Sequence, residues 1–194
     1  MMIAGLTGSF GSGKSTVLQY FSRKNWRLFD ADKFCHDLYF DPEIAAKILA
    51  LFGEGVMQNG VISRRAIAGR VFGDPEALRQ LNDLIIPAFE KGLKQFIFDC
   101  RANADNAVAE IPLLYEGQYE ELFDAVLCVW APPGVRQKRL ESCRNFSAEE
   151  FSAREQHQMA ADKKLERADF AVINSGNAED LYRQLDELLS FWQR

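Results

Sequence analysis

The sequence contains few of the residues from which disulfide frameworks and zinc sites are built. Its 194 residues include four cysteines and two histidines, without a Cys-x-x-Cys pair or a histidine cluster. Zinc binding is therefore not expected, and unpaired thiols are typical of proteins in the reducing cytoplasm. Long apolar runs are missing as well: no stretch approaches the roughly 18 residues of a membrane span, and the apolar start lacks the basic lead-in of a signal peptide. We expect a cytoplasmic protein without a membrane segment.

Positive charge is also scarce. The 23 lysine and arginine residues are outnumbered by 28 aspartate and glutamate residues, which gives a net charge of −5. Nucleic acids and anionic membranes attract proteins of the opposite sign, so neither is an expected partner, and any phosphate-binding surface has to be local. Hydrophobic residues make up 47% of the chain, which is enough for a core. The length fits one domain over residues 1–194.

Strand and helix patterns alternate along most of the chain. Apolar runs that end at glycine, proline or polar residues predict strands at residues 2–6, 26–29, 107–109, 124–130 and 170–173. Helices are predicted over residues 13–23 and at the C-terminal end, where one face carries Leu181, Leu185, Leu188, Leu189 and Trp192. This alternation predicts an α/β fold of three layers, with a parallel sheet covered by helices on both faces.

Two segments depart from the alternation. Residues 41–101 have several helical patterns and little strand signal, so we interpret them as a helical insertion. Residues 136–167 carry eight basic side chains against six acidic ones, although the whole chain is acidic. Such an excess fits a lid that closes over bound phosphates, because the positive charges would otherwise repel one another; a solvated helix face is the alternative.

Residues 8–15, GSFGSGKS, match the phosphate-loop pattern G-x-x-x-x-G-K-[ST] without a gap. Glycines let successive backbone N–H groups converge on phosphate oxygens, and the helix that follows adds its positive N-terminal dipole. Lys14 can bridge the β- and γ-phosphates, and the Ser15 hydroxyl is the expected Mg²⁺ ligand. The residues expected to bind ATP are Gly8, Gly11, Ser12, Gly13, Lys14, Ser15 and Thr16. The alternative is a glycine-rich turn with an incidental lysine.

A phosphate loop indicates a nucleoside triphosphate but not a reaction. The N-K-x-D guanine motif of GTPases is missing from the sequence, and the large ATPase classes generally need longer chains. Small kinases of the nucleoside-monophosphate-kinase type remain, and these add an acceptor site and a basic lid to the loop. Asp30 and Asp32 follow the second predicted strand, at the sheet edge where α/β proteins bind ligands. Either carboxylate can take a hydroxyl proton or instead cap the helix that begins near Lys33.

Several further motifs resemble those of the dephospho-CoA kinase family along nearly the whole chain. The pattern G-L-T-G-x-x-G-S-G-K-S is similar to residues 5–15, and D-A-D-x-x-x-H is similar to residues 30–36. The pattern G-x-[IL]-x-R-x-x-[IL] resembles residues 60–67, and P-L-L-[FY]-E resembles residues 112–116. Weaker likenesses follow at 137–140, 154–158 and 168–176. The family's usual His-Pro is replaced by Ile86-Pro87, and its usual aspartate before P-L-L by Glu110.

The resemblance implies a P-loop kinase fold that transfers the γ-phosphate of ATP to the ribose 3′-hydroxyl of dephospho-CoA, the last step of coenzyme A biosynthesis. It implies that the catalytic residues are Asp32, as the base, with Lys14 and Arg139. It places Arg144 near the phosphates, and it forms the acceptor pocket from Asp32, Arg64, Leu113, Leu114 and Glu116. The helical insertion becomes the substrate-binding region, and residues 136–167 become the lid. ATP and Mg²⁺ are the implied co-substrate and cofactor.

Two other functions are compatible with the loop. One is a kinase for another small molecule, such as a nucleoside or nucleotide, which residues 112–116 and the Asp30/Asp32 pair disfavour. The other is a regulatory subunit that binds ATP without turning it over, which the intact Lys14, Ser15 and Asp32 disfavour.

Overall fold

The structure, a computed structural model, describes residues 1–144, 147, 151–152, 155–156 and 158–193, and for residues 143 and 144 the backbone alone. It divides into two compact units. The first unit consists of Met1–Phe29 and Ile97–Arg194, and the second of Asp30–Phe96. In chain order the strands are β1 (Ile3–Thr7), β2 (Arg27–Asp30), β3 (Met57–Gln58), β4 (Val61–Ile62), β5 (Ala107–Glu110), β6 (Ala125–Trp130) and β7 (Phe170–Ile173).

Helices fill most of the remaining described chain. They are α1 (Lys14–Arg23), α2 (Ala31–Asp37), α3 (Pro42–Phe52), α4 (Arg64–Val71), α5 (Pro75–Ala102), α6 (Pro133–Arg144), α7 (Ala161–Arg167) and α8 (Ala178–Trp192). Among the helices of the described residues, none is long and apolar enough to cross a membrane.

The first unit is built on a five-stranded sheet with the order β2-β5-β1-β6-β7. Strand β1 pairs in parallel with β5 and β6, and β6 pairs in parallel with β7. Every residue of β1 is buried, as a strand covered on both faces requires. The five predicted strands are confirmed to within one residue at each end, and the α/β fold with its mostly parallel sheet is confirmed with them.

Helices α1 and α8 pack their apolar faces into the core of this unit. The predicted face of α8 is confirmed, because Leu181, Leu185 and Leu189 are buried in the cluster that also holds Phe21. The ring of Trp192 stacks on Phe21 with centroids 6.2 Å apart. This packing fixes α1, and with it the loop that precedes α1, against the sheet.

The second unit is helical, with its own apolar core. That core contains Ile44, Ile48, Val56, Ile62, Ile67 and Leu81. Helix α3 begins at Pro42 because the Asp41 carboxylate accepts hydrogen bonds from the backbone N–H groups of Glu43 and Ile44, at 2.9 and 3.0 Å. The unit begins at Asp30, earlier than the predicted insertion at residue 41, and includes an antiparallel hairpin of β3 and β4. Strands of two residues are too short to leave a periodic pattern in the sequence.

Candidate active site

The loop between β1 and α1 has the backbone of a phosphate-binding loop. Gly8, Gly11 and Gly13 have φ angles of +148°, +79° and +100°, which L side chains rarely adopt. Space is short as well: a Cβ at Gly8 would lie 2.4 Å from the carbonyl oxygen of Val129. Helix α1 begins directly after Gly13, so its first N–H groups and its positive dipole end face the loop. Conformation and contacts both require the glycines of the motif.

Lys14 is the first residue of α1, and its ammonium group folds back over the loop. Its Nζ donates a hydrogen bond of 2.9 Å to the carbonyl oxygen of Gly8 and lies 3.7 Å from Oε1 of Glu110. The Lys14 side chain is only 10% exposed, so little water competes for its charge. A cation held in this way offers a charge-assisted contact to phosphate oxygens.

Oxygen ligands suited to Mg²⁺ lie around the same loop. Glu110 ends β5 and is in register with Leu6 of β1, which brings its carboxylate to Lys14. Ser15 is exposed in the first turn of α1, beside Thr16, whose N–H bonds to the carbonyl oxygen of Gly13. Within the described part of the chain no group of three or more His, Cys, Asp or Glu residues could hold a metal by itself. Mg²⁺ in kinases is held by one or two protein ligands plus substrate phosphates.

Of the predicted lid residues, Arg139 is brought to the loop. Its Nη2 donates to Oδ1 of Asn174 at 3.2 Å, and Nδ2 of Asn174 donates to the carbonyl oxygen of Ser12 at 2.7 Å. Asn174 had no predicted role beyond its place in the motif at residues 168–176. Arg144 ends α6, and its side chain is outside the described residues, as is the whole of Arg154.

Three other basic residues of segment 136–167 are paired inside the first unit. Arg136 is fully buried, and its guanidinium donates to both oxygens of Glu155, at 2.5 and 3.1 Å. Lys164, also fully buried, lies 3.0 Å from the Glu116 carboxylate, and Arg167 pairs with Glu120. Buried cations need such partners. The self-repulsion expected of this segment is therefore wrong for these three side chains, while lid closure itself stays a prediction.

The PLLYE segment, residues 112–116, divides between surface and core. Leu113 is 46% exposed, whereas Leu114 is fully buried beside Phe123, where a Cβ on Gly5 would meet it at 2.7 Å. Glu116 accepts a 2.7 Å hydrogen bond from the N–H of Met159 and pairs with Lys164. In this structure Leu114 and Glu116 thus hold the first unit together, and Leu113 is the leucine with free surface.

In the second unit, Asp30 and Asp32 differ in their surroundings. Asp30 caps α2, because its Oδ1 accepts a 2.9 Å hydrogen bond from the N–H of Lys33. Asp32 is exposed in the first turn of the same helix. The half-buried Cys35 lies within reach of this charge: its pKa is raised to about 11, mainly by burial and in part by Asp32, while Arg64 opposes the rise. The charges of Asp32 and Arg64 therefore both lie near the Cys35 thiol.

A groove of about 310 Å³ opens in the second unit next to this region. Its lining is mostly apolar and includes Tyr39, Phe40, Ala45, Ala46, Val61 and Ile62. Tyr39 joins the groove to the charged residues, because burial raises the pKa of its hydroxyl while the nearby Arg64 lowers it. The size is at the lower end of small-molecule sites, about 300–1,000 Å³.

Comparison with known proteins gives one consistent likeness. The family model described as dephospho-CoA kinase matches residues 2–180. A dephospho-CoA kinase of Bacillus licheniformis is 37% identical over 194 residues, which cover 98% of this chain and 96% of that relative. A Thermus thermophilus crystal structure superimposes with a TM-score of 0.83 at 35% identity, covering 97% of this chain and 96% of that one. A dephospho-CoA kinase from Campylobacter jejuni shares the fold, with a TM-score of 0.76 at 23% identity over 97% of this chain and 95% of that one.

Proposed function

This chain belongs to the dephospho-CoA kinase family, and from that premise we propose how its residues transfer the γ-phosphate of ATP to the ribose 3′-hydroxyl of dephospho-CoA. The observation that carries the proposal is the phosphate loop itself, with the Lys14 ammonium held over it by the Gly8 carbonyl. The ribose oxygen forms a bond to the γ-phosphorus as the bond to the ADP oxygen breaks. ADP and coenzyme A are the products.

The loop and α1 hold the nucleotide in this proposal. The backbone N–H groups of residues 8–15 surround the β- and γ-phosphates, and Lys14 exchanges its contact with the Gly8 carbonyl for a phosphate oxygen. Ser15 and Glu110 would hold Mg²⁺, which when bound neutralises part of the phosphate charge. Arg139 contacts the phosphates from α6, Arg144 is assigned the same role, and the predicted lid, residues 136–167, closes over them and excludes water.

Asp32 and Arg64 serve the acceptor. Asp32 orients the ribose hydroxyl and receives its proton, and its exposure in the first turn of α2 leaves both carboxylate oxygens accessible. Arg64 pairs with the diphosphate of dephospho-CoA, since guanidinium groups match phosphate oxygens in pairs. Leu113 adds apolar contact through its exposed side chain. Asp30 keeps α2 in place through its cap.

The apolar groove of the second unit accommodates the pantetheine arm. This arm carries methylene groups and a geminal dimethyl group. Binding is favoured when apolar residues such as Ala46 and Val61 cover these groups and remove them from water. The groove meets the Arg64 region at Tyr39, so one extended molecule can reach from the charged residues into the groove. The proposal therefore assigns the two halves of the acceptor to two adjoining parts of one unit.

Filling the groove should weaken acceptor binding alone. Ala46→Trp places an indole in the groove, and we expect the KM for dephospho-CoA to rise by about tenfold, which corresponds to about 55 Å² of lost apolar contact. The KM for ATP should not change. Steady-state kinetics with each substrate varied in turn measures both values.

Two controls make this result specific. Ala102→Trp puts the same side chain at an exposed position near the end of α5, outside the groove, and should leave both KM values unchanged. AMP, which lacks the arm, should be phosphorylated at the same low rate by wild type and by Ala46→Trp. Equal KM values for dephospho-CoA in all three proteins would show that the arm binds elsewhere.

An acceptor panel tests the reaction as a whole. We expect ATP-dependent ADP release with dephospho-CoA to exceed release with adenosine, AMP or shikimate by orders of magnitude. ³¹P NMR of the product should show a new 3′-phosphomonoester. Preference for another acceptor would identify a different small-molecule kinase, and ATP binding without turnover would identify a regulatory protein. The three unpaired thiols in the described residues support a reducing location, and we propose the cytoplasm.

A further inference from the structure

The pairing of β7 with β6 places Asn174 beside the phosphate loop. The residue follows β7 directly, and its backbone N–H donates a 2.7 Å hydrogen bond to the carbonyl oxygen of Trp130 at the end of β6. It is only 8% exposed, although asparagine side chains mostly lie at protein surfaces. A buried amide needs partners for its polar atoms, so the partners of Asn174 indicate why it lies there.

The two ends of the amide reach two different parts of the site. Nδ2 donates to the carbonyl oxygen of Ser12 at 2.7 Å, and Oδ1 accepts from Nη2 of Arg139 at 3.2 Å. A carbonyl oxygen only accepts and a guanidinium only donates, so one orientation of the amide satisfies both. An asparagine fits here, whereas an aspartate would turn an oxygen toward the Ser12 carbonyl and a leucine would bond to neither.

The contact with Ser12 also fixes the direction of a loop N–H. The carbonyl of Ser12 and the N–H of Gly13 belong to one planar trans peptide and point in opposite directions. Anchoring the carbonyl to Asn174 therefore turns the Gly13 N–H away from Asn174, where it can meet an anion. The approach is close: a Cβ on Gly13 would lie 2.1 Å from Nδ2 of Asn174, so no other residue type fits.

The contact with Arg139 leaves the second half of its guanidinium available. Nη1 of Arg139 is buried and has no hydrogen-bond partner among the residues that the structure describes. A buried charged N–H without a partner is costly, and a phosphate oxygen would satisfy it. Asn174 thus holds Nη2 of Arg139, and Nη1 is left without a partner among the described residues.

We propose that Asn174 is a positioning residue that joins Arg139 to the phosphate loop, so that the guanidinium and the Gly13 N–H act on one phosphate group as a unit. The proposal rests on the kinase function above and assigns it a further residue. Its chemical consequence is coupling: loss of Asn174 should lower turnover more when Arg139 is present than when Arg139 has been removed. A residue that merely stabilised the fold would not show this dependence.

A double-mutant cycle measures that coupling. We expect Asn174→Leu to lower kcat by about 10–100-fold, the usual scale of a misplaced catalytic group. In an Arg139→Ala background the same change should cost at least about threefold less than it does in the wild type, because one of the two groups that Asn174 positions is already gone. Isothermal titration should show weaker ATP binding in Asn174→Leu, which provides a readout besides turnover.

A matched control separates positioning from stability. Gln184 is another side-chain amide that bonds to the end of β7, through the N–H and carbonyl of Ile173 at 2.8 and 3.0 Å. Gln184→Leu should therefore lower the melting temperature of the protein and leave kcat unchanged. If Asn174→Leu fails to fold, Asn174→Ala carries the cycle, because it removes both hydrogen bonds of the amide without adding charge or bulk.

Two results would overturn the proposal. One is a kcat within twofold of wild type in both Asn174 variants while the wild type phosphorylates dephospho-CoA normally, which leaves the kinase function standing. The other is a double variant whose loss equals the product of the two single losses, because the residues would then act independently.

Discussion

Lys14→Ala is expected to lower turnover by about 10²–10³-fold, the cost of removing one charged donor from a site of charge development. The reason is geometric: the Lys14 ammonium is the cation held at the loop, with its Nζ 2.9 Å from the Gly8 carbonyl oxygen. Alanine cannot reach the phosphates or neutralise the charge that spreads over the transferred group. Coupled ADP-release kinetics with saturating dephospho-CoA measures the loss.

Lys24→Ala is the control for this change. Lys24 lies just beyond the other end of α1, and its Nζ contacts Asp186 at 3.0 Å on the surface. Exposed pairs contribute about 0–1 kcal/mol, so we expect normal turnover and a nearly normal melting temperature. Circular dichroism should show a folded protein in both variants. Turnover near the wild-type value in folded Lys14→Ala would refute the assignment of the loop.

The loop could be predicted because its chemistry is contiguous in the chain. Gly8, Gly13 and Lys14 lie within seven residues, and their spacing alone sets the positive φ angles and the start of α1. The strands were predictable for a similar reason, since each is an apolar run that a sheet covered on both sides requires. Local patterns therefore predicted the fold and the backbone geometry of the phosphate loop, while the roles of its residues toward ATP stay predictions.

Residues that join the site through the sheet could not be assigned in this way. Glu110 reaches Lys14 because β5 lies next to β1, and Asn174 reaches Ser12 because β7 follows β6 at the opposite side of β1. Strand order is a property of the folded sheet, and no spacing in the chain encodes it. A polar residue that directly follows a predicted strand was the one available signal for both.

The positive charge expected at the surface of segment 136–167 was too high for a different reason. Arg136 and Lys164 look like surface cations in the sequence, yet both are fully buried against Glu155 and Glu116. Burial of a cation depends on a carboxylate that is remote in sequence, 19 residues away for Arg136 and 48 for Lys164. Net composition therefore overstated the positive charge that segment 136–167 presents to a nucleotide.

Asp32→Asn is expected to lower turnover with dephospho-CoA by about 10²-fold or more, while the KM for ATP changes little. Asparagine keeps the size and one acceptor oxygen but cannot take the hydroxyl proton. Part of the loss reflects orientation, since phosphoryl transfer passes through a loose transition state in which the hydroxyl loses its proton late. Turnover with each substrate varied in turn separates the acceptor effect from the nucleotide effect.

Asp30→Asn is the matched control, because asparagine caps helices about as well as aspartate. The Lys33 N–H keeps its acceptor, so α2 should begin at the same residue and turnover should stay within a fewfold of wild type. If Asp30→Asn loses activity while Asp32→Asn keeps more than half of it, the base is Asp30 and the present assignment of the two carboxylates is reversed.

Cys35 reports on the Asp32 charge independently of activity. The pKa of its thiol is raised to about 11, mainly by burial and in part by the negative charge of Asp32. Removing the charge in Asp32→Asn should lower the pKa of Cys35, though not to its ordinary value, because the thiol stays half-buried. At pH 9 to 10 a larger thiolate fraction should then react with iodoacetamide, and peptide mass spectrometry resolves Cys35 from the other cysteines. Alkylation of Cys35 that exceeds the wild-type rate but stays below that of the denatured protein, together with lost turnover, would show that the thiol is still half-buried in a folded α2 and that the missing charge stops the reaction.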